Sequence, residues 1–293
     1  MHPLVSTRRR FLQNSVLFCT AAAAPQVLMG ATKAKPTTWT IGCLNRPWVK
    51  FSADEMLDGV KAAGYSLVGL QTPTPSDPFA GAEAKPAYLS ALKEKIAARG
   101  LKANVARLRT KDAAPYADGI ADIRQQVANA KSLGLSVMIN TGTGKPAQYE
   151  AWYKLMAFAA AHAADHGIQI VTKPHGTVTA AAAELQKCLE KINHPNLGIW
   201  YDAGNVIYYT GKDPLQELEP IISHVTAFTA KDCVAKDTDV MIQLGKGKVD
   251  FLGLFRRLQK AGFKGPIMLE TGAPADTAAQ TTALAKENRL FLE

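Results

Sequence analysis

The chain has 293 residues, is 47% hydrophobic and 20% charged, and carries a formal net charge of +9. That apolar content can fill a large core. Its Lys and Arg residues are spread among Asp and Glu with no long basic stripe, which argues against nucleic-acid binding and leaves weak attraction for anionic ligands open.

The first informative segment is Ser6-Thr7-Arg8-Arg9-Arg10-Phe11-Leu12-Gln13, followed by the apolar run Val16 to Ala24. An arginine pair, a Phe-Leu step and a short hydrophobic stretch have the layout of a twin-arginine export signal. The run is too short for a bilayer, which needs about 20 apolar residues. Small residues at Ala21–Ala24 and at Gly30-Ala31 offer cleavage sites. The expectation is a signal peptide over 1–31 read by the twin-arginine translocation machinery, a linker over 32–37, and one domain over 38–293 that works in the periplasm or is otherwise exported. No later apolar run is long enough to span a membrane. Cys19 reads as a leader residue. Cys43, Cys188 and Cys233 are odd in number and far apart, so no disulfide framework is expected and they read as small buried residues.

Short β-like runs then alternate with amphipathic stretches. The predicted strands are Thr38–Cys43, Leu67–Gln71, Ala103–Arg107, Val137–Asn140, Ile168–Lys173, Leu197–Asp202, Val225–Lys231 and Ile267–Glu270. Predicted helices include Ala53–Ala63, Ala87–Arg99, Tyr116–Leu133, Ala147–His166, Thr179–Ile192 and Leu252–Ala261. Glycines 64, 100, 134, 167 and 262 stand at the expected helix stops. Eight strands that each feed a helix describe a parallel α/β barrel, a (β/α)8 fold, and such a barrel needs about 250 residues. No Gly-rich phosphate loop follows the first strand, so a dinucleotide-binding sheet lacks its main support. The Pro-rich stretch 72–86 is expected to form a long loop over the barrel mouth.

In a parallel barrel the active site forms where strands end. The fifth strand ends in Lys173-Pro174-His175-Gly176-Thr177, the sixth in Tyr201-Asp202-Ala203-Gly204-Asn205, the seventh in Lys231-Asp232 and the eighth in Glu270-Thr271. Each has a plainer reading: His175 as a packing residue, Asp202 as the cap of the next helix, Lys231-Asp232 as a solvated ion pair. Four consecutive strands delivering such residues to one end point instead to a shared site. Trp48 after the first strand, and Tyr208-Tyr209 after the sixth, suit a carbohydrate ligand; Arg46 can read a phosphate or carboxylate, although an exported protein meets free sugars more often than phosphorylated ones. The two tyrosines serve equally well as packing for a helix that starts near Asp213.

These motifs, with the loop Gly245-Lys246-Gly247-Lys248-Val249-Asp250-Phe251 and the run Ile267-Met268-Leu269-Glu270, resemble the xylose isomerase-like barrel superfamily, broadly described as sugar phosphate isomerases/epimerases. The Pro174-His175-Gly176-Thr177 turn is most similar to its inosose dehydratase branch. The resemblance implies a TIM barrel that holds a divalent metal (Mn2+, Mg2+, Co2+ or Zn2+) and acts on a keto-sugar or keto-polyol. Asp202 and Glu270 match the family's metal-ligand positions, and with nearby His175 they make a set of three that can hold such a cation. The sequence departs from the family pattern at Lys173, where a carboxylate ligand would fall, and at Thr229, where a His would fall. Lys173 can replace the metal's work by donating to a carbonyl oxygen or enediolate. The reaction that fits is proton removal beside a carbonyl, with epimerisation, isomerisation or elimination/hydration as outcomes. The roles expected are Glu270 as base, His175 as acid, Lys173 as electrophile, and Asn205, Lys231, Asp232, Trp48 and Arg46 as substrate-binding residues. Two other readings are an exported, non-catalytic carbohydrate-binding barrel and the superfamily's endonuclease branch. The latter is disfavoured by the supply of only six histidines.

Overall fold

Eight short runs of apolar residues, buried on both faces, pair edge to edge and close on themselves. The computed structural model describes residues 39–293; the expected export signal and linker lie outside these. The strands are β1 (Ile41–Leu44), β2 (Leu67–Leu70), β3 (Lys102–Arg107), β4 (Val137–Asn140), β5 (Gln169–Thr172), β6 (Leu197–Asp202), β7 (Val225–Ala230) and β8 (Ile267–Leu269). All pair in parallel in chain order, and β8 returns to β1 through Ile41↔Ile267, Gly42↔Met268 and Cys43↔Leu269. This is the expected (β/α)8 barrel.

Helices cover the outside: α1 (Ala53–Ala62), α2 (Pro86–Ala98), α3 (Tyr116–Ser132), α4 (Tyr149–Ala164), α5 (Ala182–Ile192), α6 (Ala203–Thr210), α7 (Pro214–Leu218), α8 (Phe251–Lys260) and α9 (Ala278–Leu292). Their starts are chemically marked. Ser52 and Glu55 form a reciprocal cap on α1, and Thr277 and Gln280 do the same on α9. The five glycines expected at helix stops all adopt positive φ, between 64° and 91°. Cys43, Cys188 and Cys233 are free and buried.

Alternation along the strands produces two cores. One set of side chains (Cys43, Leu70, Ala106, Met138, Ile170, Tyr201, Phe228, Leu269) packs outward against the helices. The other set (Leu44, Val105, Ile139, Val171, Trp200, Ala227, Met268) fills the barrel interior. Gly69 belongs to the interior set, since a Cβ there would lie 2.2 Å from Leu44 and 2.8 Å from Val105. This plug of large and small residues makes the barrel a packed core rather than a pore. Whatever points inward one step nearer the strands' C-terminal ends must therefore sit on top of it.

Candidate active site

Two residues beyond each interior position, the same alternation places Gln71, Arg107, Thr141, Lys173, Asp202 and Glu270 on one ring, and Arg46 joins it from the turn after β1. β7 adds Thr229 and then Lys231. The ion pairs confirm the arrangement on the β5–β8 side. Lys173 Nζ lies 2.8 Å from Asp202 Oδ2 and also pairs with Glu270 Oε2. Lys231 Nζ lies 3.1 Å from Asp202 Oδ2, 2.9 Å from Glu270 Oε1 and 3.0 Å from Asn205 Oδ1. Arg46 Nη1 reaches Glu270 Oε1 at 2.9 Å from the turn after β1. Lys173, Lys231, Asp202 and Glu270 are buried, whereas the Arg46 side chain keeps 34% of its surface exposed. Three cationic side chains thus bind two carboxylates.

The electrostatic consequences follow from that count. Burial works against every charge here. It pulls the Lys173 ammonium down, but Asp202 and Glu270 outweigh it and leave Lys173 raised. For Lys231, burial together with Lys173 and Arg46 wins over the two carboxylates, and its pKa is lowered. Burial pushes the Glu270 carboxyl up, yet Lys173, Lys231 and Arg46 more than offset this and hold it well below the usual carboxylate range. His175 keeps an exposed edge, but shielding of its ring, and then the Lys173 and Lys231 charges, bring it down to about 4.

The family is decided by a match of residues 57–293 to the xylose isomerase-like TIM barrel. The chain belongs to the xylose isomerase-like TIM barrel family. No curated protein sequence matches it. Among solved structures it is similar to a xylose isomerase domain protein from Planctomyces limnophilus, with TM-score 0.67 and 19% identity over 87% of this chain and 95% of that one. It is also similar to a D-allulose 3-epimerase from Methylomonas sp. in complex with D-allulose, with TM-score 0.70 and 18% identity over 88% and 97%. A third is a D-psicose 3-epimerase from Clostridium cellulolyticum H10 with D-tagatose, with TM-score 0.69 and 11% identity over 86% and 97%.

Within this family's barrel, the donor set of the present chain does not fit a divalent cation. The Lys173 ammonium bridges Asp202 and Glu270, the position a metal shared by those carboxylates would take. The other Asp202 oxygen accepts the Asn205 amide at 2.9 Å, capping α6. His175 faces the Tyr209 hydroxyl, 3.3 Å from its Nε2. Among the described residues, no group of three or more His, Cys, Asp or Glu side chains is placed to hold a metal. The expected ligand set Asp202, Glu270 and His175 is therefore corrected: the two carboxylates converge, but on lysines.

Other expected residues divide. Lys173, Lys231, Arg46 and Asn205 all meet in the cluster, Asn205 being fixed by its Nδ2 bond to the Pro174 carbonyl at 2.6 Å. His175 stands at the rim within electrostatic reach of both lysines. A ring brought down to about 4 is neutral at ordinary pH, so it accepts a proton or hydrogen bond more readily than it donates one, contrary to the acid role expected. Asp232 does not face a substrate. Its carboxylate accepts the backbone amides of Cys233, Gly245, Gly247 and Val249 at 2.8–3.1 Å and so moulds the loop after β7. Trp48 is 1% exposed and packs over Gly59 of α1, because the Arg46–Trp48 turn rotates it away from the mouth. Sequence reasoning passed over Arg107 and Gln71. Each closes a predicted strand, two residues after an interior position, and that spacing was the available signal.

Proposed function

We propose that this barrel is a keto-sugar epimerase or isomerase that moves a proton beside the carbonyl. The observation that carries the reading is the buried Lys173–Glu270–Lys231 arrangement at the strands' C-terminal ends, the end where barrels of this fold do chemistry. Two ammonium groups fixed in a low-dielectric site are preorganised donors for a carbonyl oxygen that becomes negative. Glu270 is the carboxylate nearest both. When it takes the proton from the adjacent C–H, its negative charge passes to the enediolate oxygens, so the ammoniums exchange one anionic partner for another. Returning the proton to the opposite face epimerises the carbon; returning it to the former carbonyl carbon isomerises the sugar. The tight pairing weakens Glu270 as a base, and the same cations make the C–H more acidic. The D-allulose and D-tagatose held by the structural neighbours support a ketose substrate. Elimination from the same enediolate is less favoured, since neutral His175 is a poor acid for a leaving hydroxyl. The Arg8-Arg9 pair and the apolar run Val16 to Ala24 support export by the twin-arginine route, and with it an activity outside the cytoplasm.

The decisive measurement is loss of deuterium from the carbon beside the ketone, followed by NMR across a panel of ketoses and keto-polyols. Glu270→Gln is expected to slow this exchange by about 10²-fold or more, the scale of a lost general base. Exchange at the parent rate in Glu270→Gln would remove Glu270 from the base role. Binding without exchange on any member of the panel would instead favour a non-catalytic carbohydrate-binding protein.

A further inference from the structure

The two lysines of the cluster are not equivalent. Lys173 Nζ is clamped between Asp202 Oδ2, at 2.8 Å, and Glu270 Oε2. Lys231 Nζ shares the same Asp202 oxygen at a longer 3.1 Å and takes the other Glu270 oxygen at 2.9 Å. Its third hydrogen goes to the neutral side-chain carbonyl of Asn205 at 3.0 Å. One carboxylate oxygen thus holds two ammonium groups against each other. Arg46 adds a third cation on Glu270. The cluster therefore sets three positive charges against two negative ones, and all but Arg46 are buried. An arginine does not give up its proton. The excess charge is relieved most readily at a lysine, and Lys231 is the more loosely held of the two. Burial, with Lys173 and Arg46 beside it, holds its pKa below the ordinary lysine value. A desolvated lysine next to another cation is the setting that turns an amine into a nucleophile for carbonyl carbon. Its main chain is fixed as well. A Cβ on Gly204 would lie 2.8 Å from the Lys231 carbonyl oxygen, and Asp232, the next residue, is anchored by main-chain amides.

From this we infer that Lys231 is a covalent catalyst, its Nζ forming an imine with the carbonyl carbon of the ketose. Glu270 takes a proton from the Lys231 ammonium, to which it is already hydrogen-bonded. The freed electron pair on Nζ forms the N–C bond while the C=O π pair moves to oxygen, where the Lys173 ammonium donates to it. Protons then pass from nitrogen through Glu270 to that oxygen, the C–O bond breaks and water leaves. Ammonium and ketone have become a protonated imine and water, with no oxidant, no reductant and no change of net charge. Glu270 is again ionised. The C=N bond, carrying a positive charge, acidifies the neighbouring C–H more than C=O does, so the proton passes to Glu270 and an enamine forms. Reprotonation, and then attack of water on the imine carbon, return the sugar and the free lysine. The inference rests on the proposed proton transfer beside a carbonyl and adds what holds that carbonyl.

The test is incubation of the full chain with D-fructose, D-allulose or D-tagatose and sodium cyanoborohydride, which reduces a protonated imine and spares ketones. The expected product is a protein heavier by one ketose less one oxygen atom, with the adduct mapped to Lys231 by peptide mass spectrometry. Imine formation also exchanges the carbonyl oxygen with water. A ketose carrying heavy oxygen at its carbonyl should therefore lose the label faster with the protein than without it. Lys231→Arg keeps the charge but cannot form the imine, and should abolish both the adduct and the protein-dependent label loss. Should that variant fail to fold, the adduct and the label loss of the unaltered protein still decide. An adduct on Lys173, or one scattered over surface lysines, would overturn the inference, and so would label loss that persists in a folded Lys231→Arg. Deuterium exchange with no adduct and no label loss would sink the imine alone and leave the epimerase reading. An adduct at Lys231 without deuterium exchange on any ketose would sink the epimerase reading and leave the imine standing. Absence of adduct, label loss and exchange together would sink both.

Discussion

Lys173 shows how the charges of this site constrain one another. Its ammonium is 0% exposed and touches two carboxylates. Replacing a buried ion cluster wholesale by apolar residues is often neutral, but removing one member strands the others and costs about 3–5 kcal/mol. Lys173→Met is therefore expected to lower the melting temperature markedly. The double variant Lys173→Met/Glu270→Gln should recover part of the loss, because the stranded carboxylate is gone. Thermal denaturation of the singles and the double checks this, and strictly additive losses would show that the pair is not coupled. Lys173, Asp202, Lys231 and Glu270 were legible in the sequence because each directly follows a buried apolar run, where the chain has no core-packing reason to place a charge. Trp48 was misread since a turn through Pro47 redirects it, and turn geometry is invisible in residue identity. Asp232 was misread because its partners are main-chain amides, which no side-chain pattern announces.

The loop between β7 and α8 depends on that carboxylate. Asp232 gathers amides from residues 233 to 249, and Gly247 is required beneath it, since a Cβ there would sit 2.2 Å from Asp232 Oδ1. In Asp232→Asn one oxygen becomes an NH2 group that cannot accept, so one pair of amides loses its partner. Each such bond to a charged group contributes about 1.5–3 kcal/mol. Amide exchange of Gly245 and Gly247, or of Cys233 and Val249, is expected to accelerate by about tenfold or more, while the barrel strands keep their protection. Unchanged exchange across the loop would show that Asp232 does not hold it. At this scale the predicted elements agree with the structure to within three residues at their ends. The signals that worked were buried apolar runs and left-handed glycine stops. α6 was anticipated only through Asp202 as the cap of the next helix; its extent was not, because it begins directly at the end of β6 and leaves no turn residues to mark it. α9 was not singled out, and its Ala/Thr-rich first turns carry a weak apolar period.

For the molecule as a whole, the lysine-bridged carboxylates make an experimental statement about metal. A cation that binds only the folded state adds about 2.7 kcal/mol of stability at a hundred times its Kd. Dialysis against EDTA is expected to leave the melting temperature unchanged, and added Mn2+ should not raise it. A rise of several degrees with Mn2+ would mean that the lysines yield to a metal and that the donor set has been misjudged.

The contact between Arg46 and Glu270 spans 224 positions of sequence and crosses the seam where the last strand is laid against the first. Every earlier strand can find its neighbour as the chain lengthens, but this latch has no partner until β8 arrives. Ring closure and the completion of the charged cluster are thus one event. A nascent or truncated chain that stops short of β8 carries both lysines and no Glu270, so the cluster stays incomplete until the barrel is sealed.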